Sequence, residues 1–507
     1  MRRLTLGFAL ALSVAVAATA SAALAADKVV RIAVQGWTPG LGNPYASMVT
    51  GTIHPYISMF DALTFLNDDG SVAPRLAVSW QADNHTTWTF KLRPGISFTN
   101  GEPMNAAAVV AMIDWLKSQD GQRFFLASEV RNIDSVTAPD DLTVVFKTKV
   151  PDAIFPRRIS LLQLTPPKYF AEIGADAFAQ KALGTGPFAL RTWGRDTGRS
   201  IWDSQPTSWR APKHLTRYEY IVLPEAPRRA QALLLGEVDV AYAISMLDGE
   251  DLTAQGMRIE IGHVPTVGGL ALPNNRANSP LKDKRVRQAF SFAVDRDTIA
   301  KTILRGVVKP STHGLEPGVF GYDPDLKAVP YDPAKARALL AEAGYPDGIS
   351  LTASVLATGI TDGEPMYQRI AQDLAAAGIK VEFRNVFGPD WVKMWFSGDW
   401  RGADVISHTW GGATYMDALR PLENVMCKKS GAYFCDPEID AMIEASNLMF
   451  DPAERETQLH AIVRKLDDLA PALFLFPQTD VMAFSPKVKN IKFRGRYLDW
   501  SELDIDP

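Results

Sequence analysis

From Thr87 the chain alternates. Trp88, Phe90 and Leu92 point to one side of a strand and Thr89, Lys91 and Arg93 to the other, which is the period-two pattern of a half-buried strand. Pro94-Gly95 and then Asn100-Gly101 follow on either side of Phe98. Proline fixes φ and glycine tolerates positive φ, so two reversals and a hairpin are expected. Asn105 is placed to cap a helix from Ala106 to Lys117, whose Val109, Met112, Ile113 and Leu116 recur at helical spacing.

The same reading extends along the chain. Val29–Val34 is a short apolar strand, and the loop 35–45 that leaves it carries Trp37 and Tyr45. Loops leaving the first strand of an α/β domain often face the ligand crevice, so both aromatics are candidate contacts. Residues 56–66 read as a helix giving way to a strand, with a turn at Asn67-Asp68-Asp69-Gly70; residues 135–137 and 142–146 read as strands joined through Pro139-Asp140-Asp141. A helix over 229–235 ends at Gly236 before a strand. Val286, Ala289, Phe290 and Ala293 form one helical face, after which Asp295 caps the next helix.

Asp332-Pro333, Asp436-Pro437 and Asp451-Pro452 each set a capping carboxylate before a proline at the first helical position, where the missing N–H costs nothing. Glu454 completes a capping box with Asp451. Between 333 and 383 helix and strand alternate, with stops at Gly344 and Gly378, which predicts a mainly parallel sheet with helices on both faces. No repeat or low-complexity linker interrupts the chain, so its domains are expected to be joined by short structured links.

At 507 residues the chain exceeds one ordinary core, and two or three domains are expected. Apolar residues at 47% and charged residues at 22% favour a soluble globular class. A net charge of −4 gives no basic surplus for nucleic acid or an anionic membrane. Arg2 and Arg3, the apolar run 4–20 and Ala23-Leu24-Ala25 read as a cleaved secretory signal over 1–25, with a membrane anchor as the rival reading. Cys427 and Cys435 lie far from that site, which excludes lipid attachment there. In an oxidising compartment the two are expected to form a disulfide. No ligand set for zinc stands nearby, and no metal or other cofactor is expected.

Seven scattered histidines, with no H-E-x-x-H, G-x-S-x-G or dinucleotide fingerprint, offer no local support for catalysis. A binding protein is therefore expected rather than an enzyme. His54 and His408 are the histidines placed to reach a crevice. Gly184-Thr185-Gly186-Pro187 lacks the Lys-Ser/Thr of a phosphate-binding loop, and its glycines are expected to let the backbone turn sharply.

The wording of several stretches goes further. Pro74-Arg75-Leu76-Ala77, Ser79-Trp80, Trp88 through Gly95, and Phe98 to Asn100-Gly101 resemble the signature of the extracytoplasmic solute-binding proteins of family 5, the peptide- and nickel-type components of ABC importers. Gly184 to Phe188 and Arg285 to Arg296 match the same family. The resemblance implies a periplasmic-binding-protein-like α/β clamshell of two lobes with an extra subdomain, of the large type II class. Lobe I would comprise 26–60, 184–272 and 480–507, its subdomain 61–183, and lobe II 273–479. It implies capture of a small peptide or peptide-like solute by a monomer in the periplasm, and delivery to a permease in the inner membrane. An opine-like compound, a sugar or a metal chelate on the same fold is the alternative solute, and a secreted hydrolase the alternative class.

In the family a loop worded like His408 to Asp417 leaves a strand of the second lobe and faces the cleft. Trp410 and Tyr415 would offer flat surfaces, Gly411 and Gly412 close backbone approach, and Thr414 and Asp417 polar contacts, with Asn274 near the crossing between lobes. Many peptide-binding relatives carry an aspartate three residues after this tryptophan to pair with the ligand's amino group. Here the position is Ala413, so either Asp417 takes over or the ligand is not an ordinary free peptide.

Overall fold

Two long neighbouring strands, Arg258–Ala271 and Ala472–Phe484, run through the middle of a ten-stranded sheet. To one side follow Val405–Trp410, Ile349–Val355 and Ile379–Asn385; to the other, Val240–Tyr242, Val29–Val34, Arg217–Val222, Arg199–Ser204 and Phe188–Thr192. The computed structural model describes residues 27–38, 40–46, 54–357, 360–386, 388–429, 432–494 and 497–506, so the expected signal peptide lies outside the described residues. No described helix is long and apolar enough to cross a membrane.

The sheet is mixed rather than mainly parallel. Val29–Val34 and Ile349–Val355 pair in parallel with both of their neighbours. The two long strands and the hairpinned strands Phe188–Thr192 and Arg199–Ser204 pair antiparallel. Helix crossovers enforce parallel pairing only where they occur. The register of the long pair breaks between Val264 and Val267 and again between Gly268 and Gly269. Pro265 and Pro477 lie at the first break; a proline there supplies no N–H to the ladder.

A second, four-stranded antiparallel sheet takes the order Ala77–Asn84, Thr87–Leu92, Thr143–Thr148, Ile133–Asp140. Trp88, Phe90 and Leu92 face inward and are buried with Val109, Met112, Ile113 and Leu116 of the helix Ala106–Lys117. Asn105 accepts the Ala108 N–H at 3.1 Å and so caps that helix. The hairpin partner of Thr87–Leu92 is the preceding strand, reached through Asn84-His85-Thr86. Pro94-Gly95 ends the strand instead of folding it back. Asn100-Gly101 closes only a small local reversal in which Phe98 donates to the Glu102 carbonyl at 2.9 Å.

The signature residues have structural duties. Arg75 and Arg210 both reach the buried carboxylate of Asp61, at 2.7 and 2.8 Å, and Thr185 donates to its other oxygen at 2.7 Å. Burial alone would raise the Asp61 pKa; the two guanidiniums and these hydrogen bonds outweigh it and hold the group at about 2. Gly184 and Gly186 keep negative φ. A Cβ on either would lie 2.0 Å from the Met59 carbonyl and 2.3 Å from that of Ser58 respectively, so close packing, not a sharp turn, demands glycine. Arg287 is buried and donates to the carbonyls of Leu281, Lys282, Leu469 and Ala470. The three Asp-Pro helix starts are capped by Asp332, Asp436 and Asp451.

Candidate functional site

The breaks in the long strands open onto a cavity of about 420 Å³. Its floor is His263, Val264 and Pro265 with Pro477. One wall comes from the N-terminal half: Tyr56 and Ile57, the hairpin Phe65 to Asp68, and Ser160 to Gln163. The facing wall is Glu316 and Pro317 with Ala413, Thr414 and Met416. Mostly apolar lining with a few convergent polar groups is the usual make-up of a small-molecule site.

Of the residues expected to meet a ligand, Thr414 lines this cavity. The others have different surroundings. Trp37 packs edge-on against Trp193 at 5.9 Å. Tyr45 is fully buried, shares a 2.8 Å hydrogen bond with Thr165 and packs on Trp115 and Phe170. The side chain of His54 lies outside the described residues. Asn274 clamps Cys435, accepting its N–H at 2.9 Å and donating to its carbonyl at 2.8 Å. Cys427 and Cys435 are joined in a disulfide.

Trp410 is buried against Phe474 and Gly314, and its indole donates to Tyr433. Gly412 presses its backbone toward the Pro265 carbonyl and Val319, where a Cβ would lie 2.8 Å from the oxygen; Gly411 beside it starts the turn, and neither lines the cavity. His408 stacks on Trp395 at 3.6 Å, and its ring nitrogens find no hydrogen-bond partner among the described residues. Burial, and then the charge of Arg420, push its pKa well down. Asp417 is 1% exposed and grips Arg455 through both oxygens at 2.6 and 2.7 Å. A carboxylate so engaged is not available to a ligand's amino group. Among the described residues no cluster of His, Cys, Asp and Glu suited to a metal occurs.

Residues 71–432 match the model of the bacterial extracellular solute-binding proteins, family 5. The chain belongs to that family. It is a family of solute-binding components of ABC importers. Among the family's characterised members, the glutathione-binding protein GsiB of Escherichia coli K12 is 30% identical over 381 residues, 73% of this chain and 72% of that one. NikA of Brucella suis, solved with Fe(III)-EDTA, superposes with a TM-score of 0.82 at 25% identity, covering 95% of this chain and all of NikA. DppA of Helicobacter pylori, in complex with the peptide STSA, gives 0.82 at 20% identity over 95% of this chain and 98% of its own.

In this family 5 protein the two walls are also tied together outside the cavity. Arg158 donates to the Tyr415 hydroxyl at 2.9 Å, and Tyr415 donates to Glu129, which also meets Arg420. Arg157 donates to the carbonyls of Tyr415 and Met416 at 3.0 and 3.1 Å. His85 stacks on Phe450 at 4.3 Å. Tyr415, expected at the ligand, is instead the centre of this buried clasp.

Two acids that the sequence did not mark stand in the cavity itself. Glu316 accepts a hydrogen bond from Ser311 through Oε1 and has no ion-pair partner among the described residues. Burial pushes its carboxyl up to about 7. Asp68 is shifted upward as well, by burial and by its neighbour Asp69. Glu316 sits alone in an apolar loop, Gly314-Leu315-Glu316-Pro317-Gly318, and a charge with so little polar company was the available signal.

Proposed function

We propose that this protein captures a small peptide or peptide-like solute in the cavity between its two walls and hands it to an inner-membrane ABC permease. It does so in the periplasm, as a monomer freed of its signal peptide, with lobe I formed by 26–60, 184–272 and 480–507, its subdomain by 61–183 and lobe II by 273–479. The observation that carries this reading is the cavity of about 420 Å³ at the paired strand breaks, lined from both halves of the chain. Support also comes from the relatives: GsiB is named for glutathione and DppA was solved with a peptide. Contacts that a solute makes with both walls at once favour the shut form over the open one.

The test is thermal unfolding with di- and tripeptides, glutathione included, beside opines, sugars and metal chelates. For a Kd of about 1 μM, a millimolar solute stabilises by about 4 kcal/mol. A chain of this size loses on the order of 1 kcal/mol per degree at its midpoint, so the expected rise is about 4 °C. A shift from a non-peptide solute alone, or conversion of the bound solute, would overturn the reading.

A further inference from the structure

The cavity's charge is one-sided. Among the described residues its lining contains Asp68 and Glu316 but no lysine or arginine. Met416 also lines an adjacent groove, and the guanidinium there, Arg157, is turned to the carbonyls of Tyr415 and Met416. Glu316 Oε2 and both oxygens of Asp68 have no hydrogen-bond or ion-pair partner among the described residues. The position facing the cavity after the loop tryptophan is the uncharged Ala413, and Asp417 is consumed by Arg455. Glu316 stands close by: its carbonyl accepts the Val319 N–H at 3.1 Å, and Val319 packs on Gly412 beside Ala413.

We propose that the cleft selects an organic cation, whose ammonium is held by Glu316 and Asp68 and which brings no free carboxylate. This rests on the cavity being the solute site and narrows its solute class. An anion entering would meet two carboxylates and no lysine or arginine, with the His263 imidazole as the one basic side chain among the described lining residues, and like charges in a partly desolvated site repel strongly. An ammonium would supply the partner both acids lack. Burial raises both carboxyls, and the charge of Asp69 adds to the shift at Asp68.

Isothermal titration of the full mature chain with matched probes tests this: alanyl-leucine amide, free alanyl-leucine, the N-acetylated amide, reduced glutathione and agmatine as a non-peptide cation. The amide is expected to bind about 10- to 100-fold more tightly than the free acid or the N-acetylated form. Glu316→Gln is expected to remove most of that preference, and Asp68→Asn, at an exposed side chain, part of it; matching melting temperatures establish that both variants fold. Binding of glutathione or the free acid as tight as that of the amide would overturn the inference while leaving the peptide reading intact. A preference for the amide unchanged in both variants would overturn the assignment to these two acids. Binding of agmatine, sensitive to Glu316→Gln, with no binding of any peptide, would uphold the cation and overturn the peptide.

Discussion

Replacing Asp417 by alanine separates two readings of that residue by the property it changes. Its carboxylate holds Arg455 at 2.6 and 2.7 Å, accepts the Leu419 N–H at 3.0 Å, and both side chains of the pair are at most 5% exposed. Arg455 also donates to the Ser446 carbonyl at 3.1 Å and packs over Phe320. Truncation leaves a guanidinium buried without its counter-charge, at a cost of about 3–5 kcal/mol. For 507 residues unfolding as one unit, the entropy at the midpoint is on the order of 1 kcal/mol/K, which gives a fall of about 3–5 °C. The double variant Asp417→Leu with Arg455→Met removes both charges and is expected to recover most of that fall, because well-packed apolar groups often replace a buried pair without loss. Calorimetry gives the midpoints and titration the affinities. If Asp417→Ala keeps its melting temperature but weakens an ammonium-bearing ligand tenfold or more, the carboxylate belongs to the ligand and the reasoning fails.

Tyr415→Phe removes the hydroxyl that ties its wall to Arg158 and Glu129, an ion pair on the opposite wall. If the two walls close as proposed, the loss falls on the shut form, so solute release in stopped-flow fluorescence is expected to quicken about 5- to 100-fold, corresponding to about 1–3 kcal/mol. The Glu316 carboxyl, beside Ser311 and Tyr322 and sharing its cavity with Asp68 and His263, is raised from 4.5 to about 7 by burial. The folded chain thus keeps this proton to higher pH than the unfolded chain does, and the associated stability, on the order of 3 kcal/mol, is present below about pH 4.5 and lost as pH rises through 7. In Glu316→Gln the urea midpoint should be flatter over that interval; an unchanged slope would count against the shift. Serines at Cys427 and Cys435 remove a link between residues eight apart, and the melting temperature should fall by about 2–3 °C, corresponding to about 2–3 kcal/mol.

Much of the local structure was legible because single residues determine it. The helix Ala106–Lys117 has the bounds its capping asparagine and apolar period mark, and the Asp-Pro helix starts depend on one carboxylate and one ring. The long central strands were not legible: Arg258–Ala271 contains Gly262, Pro265, Gly268 and Gly269, which read as breakers, yet pairing with Ala472–Phe484 holds it extended. The candidate site divides in the same way. The loop after Val405–Trp410 does reach the cavity through Ala413, Thr414 and Met416, but Trp410, Tyr415 and Asp417 turn inward. An aromatic or carboxylate in a loop has the same letter whether it packs behind the wall or faces the opening. Glu316 and Asp68 sit in irregular segments, where no period separates inside from outside.

Because the two halves of the large sheet share a pair of adjacent strands, hydrogen-bonded from Arg258 against Phe484 to Ala271 against Ala472 and interrupted between Val264 and Val267 and between Gly268 and Gly269, a relative motion of the halves would resemble the flexing of a leaf spring. Such a spring bends readily about one line and resists sliding. Under the proposed function, occupancy of the cavity would reach the outer surface as one angle, a single degree of freedom for a permease to sense.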